Sequence, residues 1–330
     1  MISVAFFNNK GGVGKTTLAY HLAWMLRTLG LKVLAADLDP QANLSTMCLD
    51  EERVLELTPE AGIPRTILGC VQPILDGTGD VAPAYIEAVS EGFGLIVGDL
   101  GLTAFEDKLS DAWPRCHDGD ESAFRTTTAF ARILREAGER EGAQVSLIDV
   151  GPNLGAINRA ALVAADFVLI PLVPDLFSLR ALTNLGPALR RWREDWRRRL
   201  DSDRAPRQKL ALPTGAMEPV GYVVSQHAVR QDRATRAFDV WMARIPRHYQ
   251  KTIMMSDVAA ETTLDQDHAC LASLRHYRSL MAMAMEARKP IFDLKPADGA
   301  IGAHVEAVRR ARGEFRALAE ELARRVGLRP

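Results

Sequence analysis

The sequence predicts an α/β fold: a doubly wound, mostly parallel sheet with helices on both faces. Three observations carry that expectation. Short apolar runs alternate with segments of helical periodicity along the whole chain. The first strand, helix and strand fall within the opening 37 residues, and a helical crossover makes the two strands parallel. The 330 residues are 47% hydrophobic and 25% charged, the balance of a soluble globular protein rather than a disordered chain.

The elements follow in order. Ile2–Asn8 is apolar and ends in Asn-Asn, which reads as a buried strand. A glycine-rich turn leads into Thr16–Leu29, where Leu18, Leu22, Met25, Leu26 and Leu29 have helical spacing and Gly30 gives the stop. Lys32–Asp37 is a second buried strand. Residues 50–92, with scattered Pro and Gly, read as an expansion away from the sheet. Phe93–Val97 is a strand, Phe124–Arg140 a helix, Val145–Asp149 a strand, Leu154–Ala165 a helix and Phe167–Pro171 a strand. Leu179–Leu200 is a long helix with a basic second half, and Pro219–Ser225 is a strand. Residues 235–245 and about 256–286 read as helical, the latter as an insertion, and His304–Val326 as an amphipathic helix. With no linker marking a boundary, a single domain over 1–330 is expected.

Several classes are excluded at this stage. No stretch is long and apolar enough for a spanning helix. The N-terminus lacks a basic region and a small-residue cleavage site, so no secretory signal is expected and a cytoplasmic location is. Cys48, Cys70, Cys116 and Cys270 are scattered without a CxxC pair, which argues against a disulfide scaffold or a zinc finger. The net charge of −1 hides an asymmetry: residues 1–189 carry a net −10 and residues 190–330 a net +9. Such segregation fits either a surface for a polyanion or arginine-rich solvated helices.

The residues that carry chemistry begin at the turn Lys10-Gly11-Gly12-Val13-Gly14-Lys15-Thr16-Thr17, between a strand and a helix. Glycines let backbone N–H groups converge on phosphate oxygens, and the helix N-terminus adds its partial positive charge. Lys15 can reach the β- and γ-phosphates, and the Thr16 hydroxyl can ligate Mg²⁺. The second strand runs out through Asp37 and Asp39, whose spacing lets both face the phosphate end of the sheet. Val145–Asp149 is an apolar strand ending in an acid, the Walker B form.

In place of the first consensus glycine stands Asn9, followed by Lys10. This KGGVGKTT form resembles the ParA/MinD family of deviant Walker A P-loop ATPases, and the chain is most similar to ParA-type partition proteins. Asp37–Asn43 resembles the family's DxDPQGN segment, with Ala42 where glycine is usual, and Asp149–Gly155 its D-x-P-P-x-L-G turn, with Gly151 replacing one proline. Ile245-Pro246-Arg247 resembles the family's IPR turn near the base pocket, and Lys289–Phe292 with the terminal helix its C-terminal end. The resemblance implies an ATP hydrolase with ATP and Mg²⁺ as cofactors. It implies that Lys10 acts across an ATP-dependent homodimer, that Asp39 orients the attacking water, and that Asp37 and Asp149 with Thr16 support the metal shell. ATP would be held by Lys10 through Thr17 and by Pro246.

It implies further that the ATP-bound dimer associates with the nucleoid through non-specific DNA contacts, and that a ParB-like partner stimulates hydrolysis. Candidate DNA contacts are Arg190, Arg191, Arg193, Arg197, Arg198 and Arg199 on one helix, with Arg309 and Arg310 in the tail. Trp192 and Trp196 read as packing residues rather than base-stacking ones. With the loop beginning at Lys10, no helix-turn-helix domain is expected ahead of it. A MinD-like membrane-positioning ATPase is the alternative; the acids among the arginines of the tail favour its docking on the core, so membrane association is not expected. An iron–sulfur relative finds no matching cysteine spacing, and a small-carboxylate ligase would not call for the arginine-rich half.

Overall fold

The computed structural model describes residues 1–59, 62–225, 234–256, 262–277 and 279–329. Among these, eight strands form one sheet in the order β3-β4-β2-β5-β1-β6-β7-β8. They are β1 (Ile2–Phe6), β2 (Val33–Asp37), β3 (Glu87–Ser90), β4 (Phe93–Ile96), β5 (Val145–Asp149), β6 (Phe167–Leu172), β7 (Glu218–Ser225) and β8 (Cys270–Leu274). Every pairing is parallel except the β3–β4 hairpin.

The sheet is buried on both sides because each central strand carries apolar residues at successive positions. In β1, Val4 and Phe6 face one core while Ala5 and the following Phe7 face the other. The first core is closed by α1 (Lys15–Thr28), α2 (Asn43–Cys48), α11 (Ser279–Ala287) and α12 (Ala303–Val326). The second takes α4 (Ile67–Leu75), α5 (Phe105–Arg115), α6 (Glu121–Thr127), α7 (Ala129–Glu141), α8 (Ala156–Val163), α9 (Leu176–Asp201) and α10 (Ala234–Tyr249). The short α3 (Glu51–Leu57) lies between α2 and α4.

Several expectations are corrected. The helix expected over 124–140 is two helices, α6 and α7, separated at Thr128; the Thr128 side chain bonds back to the Phe124 carbonyl, a competition with helix geometry that threonine makes readily. The expansion over 50–92 contributes the edge strand β3. The expected helical insertion at 256–286 contains the strand β8 before α11; its apolar run pairs with β7 at the sheet edge, so tertiary pairing overrides the Ala- and Met-rich helical character that begins nine residues later. Residues 257–261 and 278 of that stretch lie outside the described residues. The 235–245 helix runs on through Pro246 to Tyr249.

The terminal helix docks. Phe315, Leu318, Leu322 and Val326 are buried against α1 and the turn Ile291–Asp293. His21 of α1 stacks on Phe315 at 4.9 Å between centroids. Its Nδ1 lies 2.7 Å from the Thr17 carbonyl and its Nε2 accepts from the Ile291 N–H at 3.2 Å. Burial pushes its pKa down to about 4, so it is neutral with the proton on Nδ1.

Candidate phosphate-binding site

The loop from Phe7 to Gly14 joins β1 to α1 at the C-terminal edge of the sheet, where parallel α/β sheets bind ligands. Gly14 stands immediately before α1 at φ 87°, a left-handed conformation that glycine adopts without strain. Lys15 is buried, and its ammonium donates to the Asn8 and Lys10 carbonyls at 3.2 and 3.4 Å, drawn back into the loop. Burial lowers its pKa, opposed by the charges of Asp149 and Asp39.

Register brings the acids together. Asp37 at the end of β2 pairs directly with Asp149 at the end of β5, and the Leu38 N–H donates to the Asp149 carbonyl at 2.9 Å. Both carboxylates are fully buried, and burial raises both pKa values, with the charge of Asp39 adding at Asp37 and that of Asp37 adding at Asp149. Ser45 of α2 closes onto Asp37: its N–H and its hydroxyl both donate to Asp37 Oδ2 at 2.8 Å, while Ser45 Oγ accepts from the Gly98 N–H at 2.8 Å. Gly98 has no room for a side chain, since a Cβ there would stand 2.8 Å from Asp37 Cγ. Asp39 is buried, with Oδ1 accepting from the Gln41 N–H at 3.0 Å. A Cβ on Gly151 would come 3.3 Å from that oxygen, so Gly151 lets the β5 turn approach Asp39. Ala42 adopts φ 52° and ψ 34°, the strained region where a glycine would be at ease.

Asp37 Oδ1 and both oxygens of Asp149 are buried without a hydrogen-bond partner. Buried carboxylate oxygens left bare are costly, and a hard divalent cation with its waters satisfies them. These residues with Thr16 therefore fit Mg²⁺ beside a phosphate.

Residues outside the expected motifs brace the same end. Glu106 of α5 accepts from the Ala156 and Ile157 N–H groups at 2.5 and 2.8 Å, capping α8 behind the β5 turn. Asn158 donates to the Gly151 and Asn153 carbonyls at 2.8 Å each. Lys10 pairs with Asp175, which also caps α9 through the Ser178 N–H at 2.8 Å.

Pro246 is not among the residues that line the cavity beside the loop. It is buried within α10, where the helix continues instead of turning. The cavity beside Gly12, Gly14 and Thr17 is lined by Ser225, Leu274, Arg275, His276 and Tyr277. Recognising β8 as a strand would have directed attention to the Leu274-Arg275-His276-Tyr277 segment that follows it.

The arginines divide. Arg199 is buried, stacked over Trp113 at 4.3 Å and donating to the Trp113 and Asp195 carbonyls at 3.1 and 2.7 Å, so it is not a surface contact. Arg197 faces Asp201 at 3.7 Å, and Arg198 faces Glu194 and Asp195 at 4.0 and 3.7 Å. Arg309 pairs with Glu306 at 3.0 Å, and Arg190 donates to the Thr252 carbonyl at 2.7 Å. Arg191 and Arg310 are exposed and Arg193 is half-buried. Trp192 and Trp196 are core residues, with Trp196 Nε1 donating to the Pro213 carbonyl at 3.0 Å.

A mostly parallel sheet whose first turn is a phosphate loop, with acids from β5 and β2 beside it, defines a P-loop nucleotide-binding fold. The chain matches the AAA domain family over residues 1–202. It is 32% identical over 245 residues to the chromosome-partitioning ATPase Soj of Thermus thermophilus, covering 74% of this chain and 81% of Soj. It is 32% identical over 201 residues to the chromosome partitioning protein ParA of Caulobacter vibrioides, covering 60% of this chain and 66% of that protein, just under two thirds of its length. The Cyanothece McdA–ATP complex has the same fold, with a TM-score of 0.63 at 16% identity over 100% of this chain and 98% of that one. The chain belongs to the ParA/MinD-type P-loop ATPases.

Proposed function

We propose that this protein is a ParA-type Mg²⁺-dependent ATPase that forms a sandwich dimer with ATP, binds DNA without sequence preference as that dimer, and positions a DNA or protein cargo, with hydrolysis stimulated by a ParB-like partner. The observation that carries the reading is the convergence of Lys15, Asp39 and the bare carboxylate oxygens of Asp37 and Asp149 on one loop of backbone donors.

In this reading the N–H groups of Gly11 through Thr17 hold the phosphates, and the Lys15 ammonium leaves its two carbonyls for the β- and γ-phosphates. Thr16, Asp37 and Asp149 would hold Mg²⁺, which when bound would neutralise charge on those phosphates. Gln41 fixes one oxygen of Asp39, leaving the other to orient the attacking water. Lys10 exchanges Asp175 for the phosphates of the partner protomer, adding a cation where the transferring group gathers charge. The Leu274–Tyr277 segment receives the base. A membrane-targeting tail would need an apolar stripe open to lipid, whereas that of α12 is buried on α1.

The test is a gel-shift titration with two unrelated duplexes, with and without ATP, at about 50 mM salt. Equal ATP-dependent shifts of both are expected. An ATP dimer, verified by light scattering, that shifts neither refutes the DNA-carrier reading.

A further inference from the structure

Between the first turns of α9 and the second half of α10 lies a groove of about 510 Å³ whose lining includes Arg180, Arg244, Arg247, Lys251, His248 and Trp241. Arg244, Arg247 and Lys251 follow one another at helical spacing of three and four residues, so they form one ridge running from α10 into the turn after it. Arg180 faces them from α9. All four are exposed, and among the described residues none makes an ion pair. Among the described residues, no carboxylate lines the groove. This differs from the last turns of α9, where Arg197 and Arg198 face acids of their own helix and Arg199 is buried, although Arg191 and Arg193 earlier on that helix also make no ion pair among the described residues.

Crowded like charges repel, and a groove lined by one sign of charge focuses its field outward. A polyanion relieves that repulsion. Three of the four cations are arginines, which grip phosphate oxygens through two donors at once. Arg244 lies over the Trp241 ring at 5.0 Å, so the aromatic face is covered by a cation rather than open for insertion into lipid. The groove also adjoins the N-terminal turn of α9, where Asp175 and Ser178 hold Lys10. In a dimer joined through Lys10, each protomer would bring its groove close to the shared face.

We propose that the duplex DNA backbone is bound in this α9–α10 groove, by Arg180, Arg244, Arg247 and Lys251, rather than along Arg197–Arg199. The proposal rests on the DNA-carrier reading above and adds where the phosphates sit. Both protomers' grooves engage together, so binding gains from linkage once ATP joins them.

The experiment compares wild type with two groove pairs, Arg244→Gln with Arg247→Gln and Arg180→Gln with Lys251→Gln, and with the control pair Arg197→Gln with Arg198→Gln. Gel shifts with ATP are titrated from about 50 to 200 mM salt; thermal midpoints and ATP-dependent light scattering verify fold and dimer. Each groove pair should weaken binding of both duplexes at least about tenfold and flatten the slope of log affinity against log salt by about three to four units per dimer. The control pair should change affinity by less than about threefold. Groove variants that bind as wild type, with the control pair losing binding, overturn the groove while leaving the DNA reading intact. A wild-type dimer that binds no DNA overturns the DNA reading itself. If that dimer instead sediments with vesicles of phosphatidylserine and phosphatidylcholine, and the groove variants do not, the groove is a lipid surface and the proposal is wrong.

Discussion

Replacing Ser45 by alanine removes one hydroxyl that serves two strands. Ser45 Oγ donates to Asp37 Oδ2 and accepts from the Gly98 N–H, both at 2.8 Å and both buried. A hydrogen bond to a charged group contributes about 1.5–3 kcal/mol, and an orphaned buried N–H costs about 1–3 kcal/mol. The Ser45 N–H still donates to Asp37 Oδ2, so the two terms do not add in full. A loss of about 2–4 kcal/mol follows. In a chain of this size, that lowers the thermal midpoint by roughly 3–6 °C. The second consequence is specific to the site. With Oδ2 held by two donors, Asp37 presents only Oδ1 to a metal; without the hydroxyl the carboxylate turns more freely. The stabilisation that Mg²⁺ with ADP gives over ADP alone should shrink in Ser45→Ala and return in Ser45→Thr, which keeps the hydroxyl. Differential scanning fluorimetry across a Mg²⁺ titration measures both effects. A Ser45→Ala protein with the wild-type midpoint and the wild-type Mg²⁺ response would refute the reasoning.

Three further outcomes are expected. Ala42→Gly relieves a left-handed alanine at φ 52°, so urea denaturation should show a gain of about 0.5–1 kcal/mol after the entropy cost of glycine. His21 is held near pKa 4 by burial, below its unfolded value of about 6.5, so the folded state binds fewer protons: stability should fall as pH drops below about 6.5, by up to about 3 kcal/mol near pH 4, and His21→Gln should be weaker at pH 7 yet flatter across that window in urea midpoints. Asp39→Ala should lose on the order of 10²-fold or more in kcat while retaining the ATP dimer in light scattering; turnover at the wild-type rate would remove Asp39 from the chemistry.

The central part of the site was legible because its signals are local. The glycine loop, the acid two residues beyond the end of β2 and the acid closing β5 each sit at a strand end that the apolar pattern marks. The strained Ala42 stands where the family pattern has glycine, and the backbone at φ 52° gives that substitution its physical meaning. The helix expected at 256–286 failed for the opposite reason: β8 is a five-residue run on the sheet edge that only its pairing with β7 distinguishes from the helix after it.

What the sequence determined by itself is the parallel α/β architecture, the phosphate loop and the identity of its lysines and carboxylates, because periodicity, glycine and strand-end position act over a few residues. Which oxygen of Asp37 stays bare, which segment lines the cavity beside the loop, and which arginine of α9 is buried were decided by tertiary structure. Those properties depend on partners distant in sequence, such as Gly98 for Ser45, Trp113 for Arg199, and Leu274 for the Gly12–Gly14 loop. A helix carrying six arginines in ten residues looks uniformly basic in sequence; packing buries Arg199 against Trp113 and ties Arg190 to the Thr252 carbonyl, while Arg197 and Arg198 face acids of their own helix.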